Sequence, residues 1–246
     1  MRKFLSLILV LCVVLVGITL TRCSTEKDTF LSRWYHQTTA KYNGYFNARE
    51  LIRVNMENFR EQNEENFTQR LPLEEYPDKE AAQQMYPDMD TAISKSEKVI
   101  AKHSMPNPAK NRRAKKEEHN KWIDDTWLVI GQAHYIKHEY GEAIKKLKYV
   151  RSSYSGQRSV YAANMWLARI YMDQGDLPQA TKHMKDVERA LEKLEEIEES
   201  DEKRSKEEKK NDPEKFPKKW MAEYLLLQGR LHLLKDETEE GIESVE

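Results

Sequence analysis

The sequence predicts an all-α chain of stacked helical hairpins behind an export signal. Three observations predict it. Charged residues fill 34% of the 246 positions and hydrophobic ones 39%, with only eight Gly and eight Pro. That balance suits helices with one buried stripe and a solvated back, and argues against a turn-rich β fold. A block of the chain repeats at an offset of 37 residues, the mark of a repeat architecture. Finally, a charge-free run follows a basic start. The formal net charge is −1, so no global field points to nucleic acid.

Met1-Arg2-Lys3 leads into residues 4–20, which carry no charge and are rich in Leu, Val and Ile. A positive start before an apolar run is the physical signature of export. The run exceeds a signal core of about 7–15 residues and falls just short of a span of about 20. It ends Leu20-Thr21-Arg22-Cys23. This resembles a bacterial lipoprotein signal, with residues 1–22 removed and Cys23 lipidated. Arg22 departs from the small residue usual before the cysteine, which leaves an uncleaved single-pass anchor as the alternative. Either way the body is exported and tethered. Acyl chains at about 0.8 kcal/mol per buried CH₂ anchor a protein without a membrane-spanning helix. The other cysteine, Cys12, lies in the apolar run, so the rest of the chain forms no internal disulfide.

Residues 23–70 read as a helical hairpin. Phe30, Leu31, Trp34, Tyr35 and Thr38 share one helical face, Tyr42-Asn43-Gly44-Tyr45 supplies a turn, and Ala48, Leu51, Ile52 and Met56 continue on a second helix. Residues 71–121 begin as an irregular crossing, with three prolines among acidic residues over 71–88. A helix then runs from Asp90-Thr91-Ala92-Ile93 to Val99-Ile100 and is stopped by Met105-Pro106-Asn107-Pro108. The basic stretch with Lys110, Arg112, Arg113, Lys115, Lys116 and Lys121 reads as a solvated linker. Its functional alternative is a docking patch for an acidic partner or lipid headgroups.

Residues 122–197 carry the repeat. Trp127-x-x-Ile130-Gly131-x-x-His134-Tyr135 aligns with Asn164-x-x-Leu167-Ala168-x-x-Tyr171. Tyr140-x-x-Ala143-Ile144 aligns with Leu177-x-x-Ala180-Thr181, and Leu147 and Val150 with Met184 and Val187. The pattern resembles the tetratricopeptide (TPR) repeat and predicts a TPR-like α-solenoid. Gly131 and Ala168 fall where two helices approach closely, with Ala143 and Ala180 supplying small surfaces opposite. Gln174-Gly175-Asp176 makes the turn of the second repeat, and His138-Glu139-Tyr140-Gly141 fills that slot in the first. Val187, Leu191, Leu194 and Ile197 keep an apolar seam on an over-long last helix. Residues 198–214 read as a charged flexible linker. Residues 215–246 read as an incomplete third repeat, with Leu225, Gly229 and His232 in its first helix and Gly241 and Val245 in its second. Such an unfinished hairpin is expected of a fragment of a longer protein.

The expected function is protein binding without catalysis, cofactor or metal. Repeat position puts Leu128, Gln132, Tyr135, Met165, Arg169 and Met172 on the concave groove that stacked hairpins offer to partner segments. His134 and His138, four apart, are the one pair at metal-ligand spacing. They support a zinc hydrolase as a remote alternative, but packing and turn roles account for both. No H-E-x-x-H, phosphate loop or nucleophile elbow occurs.

The opening of the body carries a more specific likeness. Cys23-Ser-Thr-Glu-Lys-Asp-Thr-Phe, Tyr35-His36, Tyr42-Asn43-Gly44-Tyr45-Phe46-Asn47-Ala48, Tyr76-Pro77-Asp78-Lys79 and Pro87-Asp88-Met89-Asp90 together resemble the N-terminal part of the PorW/SprE family. Those are long TPR lipoproteins of the type IX secretion system and gliding machinery in the Bacteroidota. The resemblance implies an outer-membrane lipoprotein with its body in the periplasm. It would act as a scaffold between the periplasmic ring and the outer-membrane translocon, with components of both as partners. A generic TPR lipoprotein for outer-membrane assembly is the rival expectation.

Overall fold

A computed structural model describes residues 29–63, 67–68, 71–106, 118–155, 157–200, 217 and 220–243, with the side chains of 193–200 and 237–243 excepted. The expected export signal, Cys23, the basic residues at 110–116, and the side chains of Leu194, Ile197, Gly241 and Val245 lie outside that description. The described residues are mostly helical and contain no strand, only an isolated bridge between Pro106 and Glu118. No helix among them is long and apolar enough to cross a membrane.

The expected turn at 42–45 does not form. Helix α1 (Phe30–Thr39) passes through a π-helical turn (Ala40–Tyr45) straight into α2 (Phe46–Gln62). Thr29 caps the start, its hydroxyl accepting from Ser32 N at 3.2 Å. Asn43-Gly44 has turn chemistry, yet close packing claims the glycine. A Cβ on Gly44 would sit 1.8 Å from Val99 Cγ2 of α4 (Tyr86–His103). Ala40 and Ala48, four residues either side, are fully buried. The buried face of α1–α2 is therefore Ser32, His36, Ala40, Ala48, Ile52 and Met56, and the predicted face of Phe30, Leu31, Trp34 and Tyr35 points outward.

The true first hairpin is α1–α2 against α4. Contacts from His36 to His103 (2.9 Å between Nδ1 atoms), Gly44 to Val99 and Asn55 to Asp88 (2.9 Å) make the pair antiparallel. The crossing between them is irregular only as far as Asp78. There Asp78 Oδ1 accepts from Ala81 N at 2.8 Å and starts α3 (Lys79–Ala82), followed by a 3₁₀ turn (Gln83–Met85). Helix α4 thus starts four residues before Asp90, with Pro87 in its first turn, where a missing N–H costs nothing. Buried Asn120 ties the pair to the next helix. Its Nδ2 donates to the carbonyls of His36 and His103, and its Oδ1 accepts from Trp122 N.

Two central hairpins follow: α5 (Ile123–Ile136) with α6 (Tyr140–Ser153), and α7 (Ser159–Asp173) with α8 (Leu177–Ser200). Their repetition extends to the caps. His138 and Gly175, 37 residues apart, both take positive φ, 58° and 74°. His138 N bonds Tyr135 O and Glu139 N bonds His134 O, while Gly175 N bonds Met172 O and Asp176 N bonds Tyr171 O. This is the paired 5→2 and 6→1 bonding that closes a helix end. Gly131 lies against Leu147, where an added Cβ would come within 2.8 Å. Ala168 and Met184 are buried at the matching positions 37 residues on.

Helix α9 (Met221–Glu243) packs on α7 and α8. It runs unbroken through the place where the incomplete third hairpin was expected to turn. Tyr224, Leu227 and Leu231 are its buried residues, whereas Leu225 is 55% exposed. Among the described residues a Cβ on Gly229 would meet nothing within 4 Å, unlike one on Gly131, which would meet Leu147 of α6.

Candidate protein-binding groove

The first helices of the two central hairpins, α5 and α7, form a seat, and the chain's own residues 74–77 occupy it. Tyr76 meets Tyr135 of α5 edge-on at 5.1 Å between ring centroids, and Trp166 of α7 at 6.0 Å. Tyr135 and Trp166 contact each other at 5.3 Å. Edge-to-face geometry places the positive rim of one ring on the negative face of the next.

Arg169 lies within this aromatic wall, its guanidinium 4.2 Å from the Trp166 ring and 5.3 Å from Tyr76. Its side chain is 1% exposed. Taking such a charge out of water requires anions at close range. Glu74, itself 5% exposed at the side chain, supplies them in a fork: Arg169 Nε reaches Oε1 and Oε2 at 3.0 and 3.2 Å, and Nη2 reaches Oε1 at 2.5 Å. Glu223 of α9 accepts from the same Nη2 at 3.1 Å. Arg230 of α9 bridges Glu74 (3.1 Å) and Asp173 (2.5 Å). Burial works against the charge on Arg169, but Tyr76 and Glu74 outweigh it and hold the guanidinium above its ordinary range. One network therefore joins the crossing segment, α7 and α9.

At the other end of the segment, His138 Nε2–H donates to Pro77 O at 2.9 Å, leaving Nδ1 to accept from the Tyr140 hydroxyl at 3.0 Å. Burial, then the charge of Asp173, pushes the Tyr140 hydroxyl up to about 12, which keeps it a neutral donor. A cavity of about 410 Å³ opens alongside. Glu74, Tyr76 and Pro77 wall one side, and Tyr135, His138, Tyr140, Met172, Asp173 and Arg230 the other.

His134 and His138 are engaged separately. His134 Nδ1 pairs with Glu139 Oε2 at 2.6 Å. Helix α5 ends at Ile136, and His138 lies beyond it at positive φ, so the four-residue spacing is not a helical one. Among the described residues no group of three or more His, Cys, Asp or Glu is placed to hold a metal ion.

Of the six groove residues expected from repeat position, Tyr135, Arg169 and Met172 gather around residues 74–77. Leu128 and Met165 are buried in the core, and Gln132 is half-buried. All but Gln132 are 5% exposed or less. The sequence reading passed over Glu74, Tyr76, Pro77, Trp166, Asp173, Glu223 and Arg230. One signal was present: a lone arginine in the apolar run of α7 demands a counter-charge, and the acidic crossing upstream contains one. No protein-family model matches the chain, and no curated protein is similar to it.

Proposed function

We propose that this chain is a membrane-anchored, non-enzymatic scaffold that binds other proteins through a TPR-like solenoid body. One observation carries the reading. The face formed by α5 and α7 holds a non-helical segment by a forked ion pair, edge-on rings and a bond to a backbone carbonyl. Helical-repeat grooves grip partner chains by such means. The titratable groups there are occupied in joining elements: Arg169 with Glu74 and Glu223, Arg230 with Asp173, and His138 with Pro77.

The basic start, the apolar run and Cys23 support a lipid anchor. The resemblance to the PorW/SprE family supports a place at the outer membrane with the body in the periplasm. There the scaffold would link the ring of the type IX secretion system to its outer-membrane translocon. Affinity capture of the full-length protein from cross-linked, detergent-solubilised envelopes tests this. Ring and translocon components are expected in the eluate. Recovery of outer-membrane insertion machinery in their place replaces the secretion role with general envelope assembly.

A further inference from the structure

Helix α1 has its large apolar side chains on its exposed face, where among the described residues only Tyr35 touches another helix, its ring 6.2 Å from that of His103. The helix turns Ser32 and His36, 5% and 9% exposed, toward the interior, whereas Phe30, Leu31, Trp34 and Tyr35 stand 81%, 63%, 62% and 47% exposed. At about 100° per residue these four converge on one direction, opposite Ser32 and His36. Tyr42 within the π turn and Phe46 just after it continue the stripe. The central hairpins show the usual arrangement, with apolar residues inside. A contiguous outward apolar stripe marks a contact surface.

Composition, charge and chain position together identify the occupant. Trp and Tyr settle where headgroups meet acyl chains, because their rings are apolar and their N–H and O–H are not. Lys41 lies at the stripe's edge, its Nζ 4.5 Å from the Tyr42 ring and 3.0 Å from its hydroxyl. A long basic side chain there keeps its charge in the headgroup layer. Cys23 is seven residues before Phe30. At no more than about 3.6 Å per residue, a lipid on Cys23 holds the start of α1 within roughly 25 Å of the membrane.

We propose that the outward face of α1 lies in the headgroup–acyl boundary of the membrane to which Cys23 tethers the chain, a proposal that rests on the anchoring reading. The helix lies in the plane of the surface. The body is thereby held in one orientation instead of swinging on its spacer.

The test uses full-length protein reconstituted into vesicles of phosphatidylethanolamine and phosphatidylglycerol containing a lipid brominated high on its acyl chain. The Trp34 signal is the emission difference between wild type and Trp34→Phe, and Cys23 acylation is measured by mass spectrometry on the same sample. A blue-shifted Trp34 signal that loses most of its intensity to the bromolipid is expected. That loss should disappear when Phe30, Leu31 and Tyr35 are all changed to Ser, exposed positions whose replacement leaves the helical circular dichroism intact. Acylated protein with unquenched Trp34 overturns the proposal and leaves the anchor standing. Unacylated protein with quenched Trp34 supports the surface contact and overturns the anchor. Trp34 shielded from bromine, with Tyr35→Cys cross-linking two copies, overturns the proposal in favour of a dimer interface.

Discussion

Around the π turn, α1–α2 meets α4 through small and polar residues, Ser32, His36, Ala40, Gly44 and Ala48, which face Ala92, Ser96 and Val99. In the central hairpins the contact is made by Ile, Leu, Val and Met gathered around small residues, Gly131 with Ala143 and Ala168 with Ala180. At the π turn the first pair gains its contact by bringing backbones close, with Phe30, Leu31 and Trp34 facing outward, whereas further along it buries Ile52, Met56 and Met89. The second interdigitates large side chains and buries the polar Asn164, Arg169 and His183 among them. One chain thus holds two kinds of helix pair, and only the second resembles an ordinary amphipathic hairpin. Residues 74–77 bridge them, leaving α2 and docking on α5 and α7.

The largest expected effect breaks that bridge. Glu74→Gln leaves Arg169 buried without its main anion and should cost about 3–5 kcal/mol in urea unfolding. In an Arg169→Met background the same change should cost far less. An unaltered midpoint in the single variant would show that the ion pair does not hold the segment down.

Acid should act next, and on the central hairpins. His183 is 2% exposed, stacked on Tyr171 at 5.5 Å, and its Nδ1–H donates to Asn164 Oδ1. Burial, then the charges of Arg151, Lys182 and Lys148, lower its pKa to about 4. The unfolded chain binds this proton near pH 6.5 and the folded one near 4, so stability present at pH 7 is lost as pH falls through that window. The loss is on the order of 3 kcal/mol. His183→Gln should flatten the pH profile of the urea midpoint between 6.5 and 4, and a profile that keeps its full slope counts against this assignment. In the N-terminal pair, burial and then His36 and Lys102 lower His103 as well.

Gly44→Ala should destabilise by about 1–3 kcal/mol through overpacking on Val99, with Val99→Ala restoring most of the loss. Gly131→Ala should cost less. The atoms met there belong to a leucine with more rotameric freedom than a β-branched valine in a helix. The reverse order in thermal melts would erase the distinction between close backbones and interlocked side chains. The smallest effect is expected at His138. Replacing it by Gly relieves a left-handed backbone worth roughly 1–2 kcal/mol but removes its bonds to Pro77 and Tyr140, worth about 1 kcal/mol each. A net loss of about 1 kcal/mol is expected once glycine's extra unfolded-state freedom is added, and a rise in melting temperature would show that the clasp on Pro77 contributes nothing.

The central hairpins were legible because their pattern occurs twice, so small residues, caps and apolar positions check one another 37 residues apart. The N-terminal pair has no second copy. Asn43-Gly44 matches a turn, and local chemistry cannot distinguish a glycine that bends the chain from one that admits a neighbour. The stripe Ala40, Gly44, Ala48 was the available clue, since three small residues at four-residue intervals describe a continuous helix with a close partner. The groove was half legible. Repeat position put Tyr135, Arg169 and Met172 on one side, but what fills the seat comes from far upstream, 61 residues before His138 and 95 before Arg169, and has no period. The absent turn between His232 and Gly241 has a similar cause, because Gly241 and Val245 alone stood for the second helix of the third hairpin and no turn residues separate it from the first.

The π turn at 40–45 has a consequence for evolution. Phe46 N bonds Lys41 O, five residues back, so this stretch holds one residue more than an α-helix needs. Removing one residue would restore ordinary winding and rotate everything upstream by about 100°. Tyr35 would take the inward place of His36, and reagents would find position 35 shielded and position 36 turned away from α4. A single codon inserted in an ancestral straight helix is enough to decide which way an aromatic stripe looks.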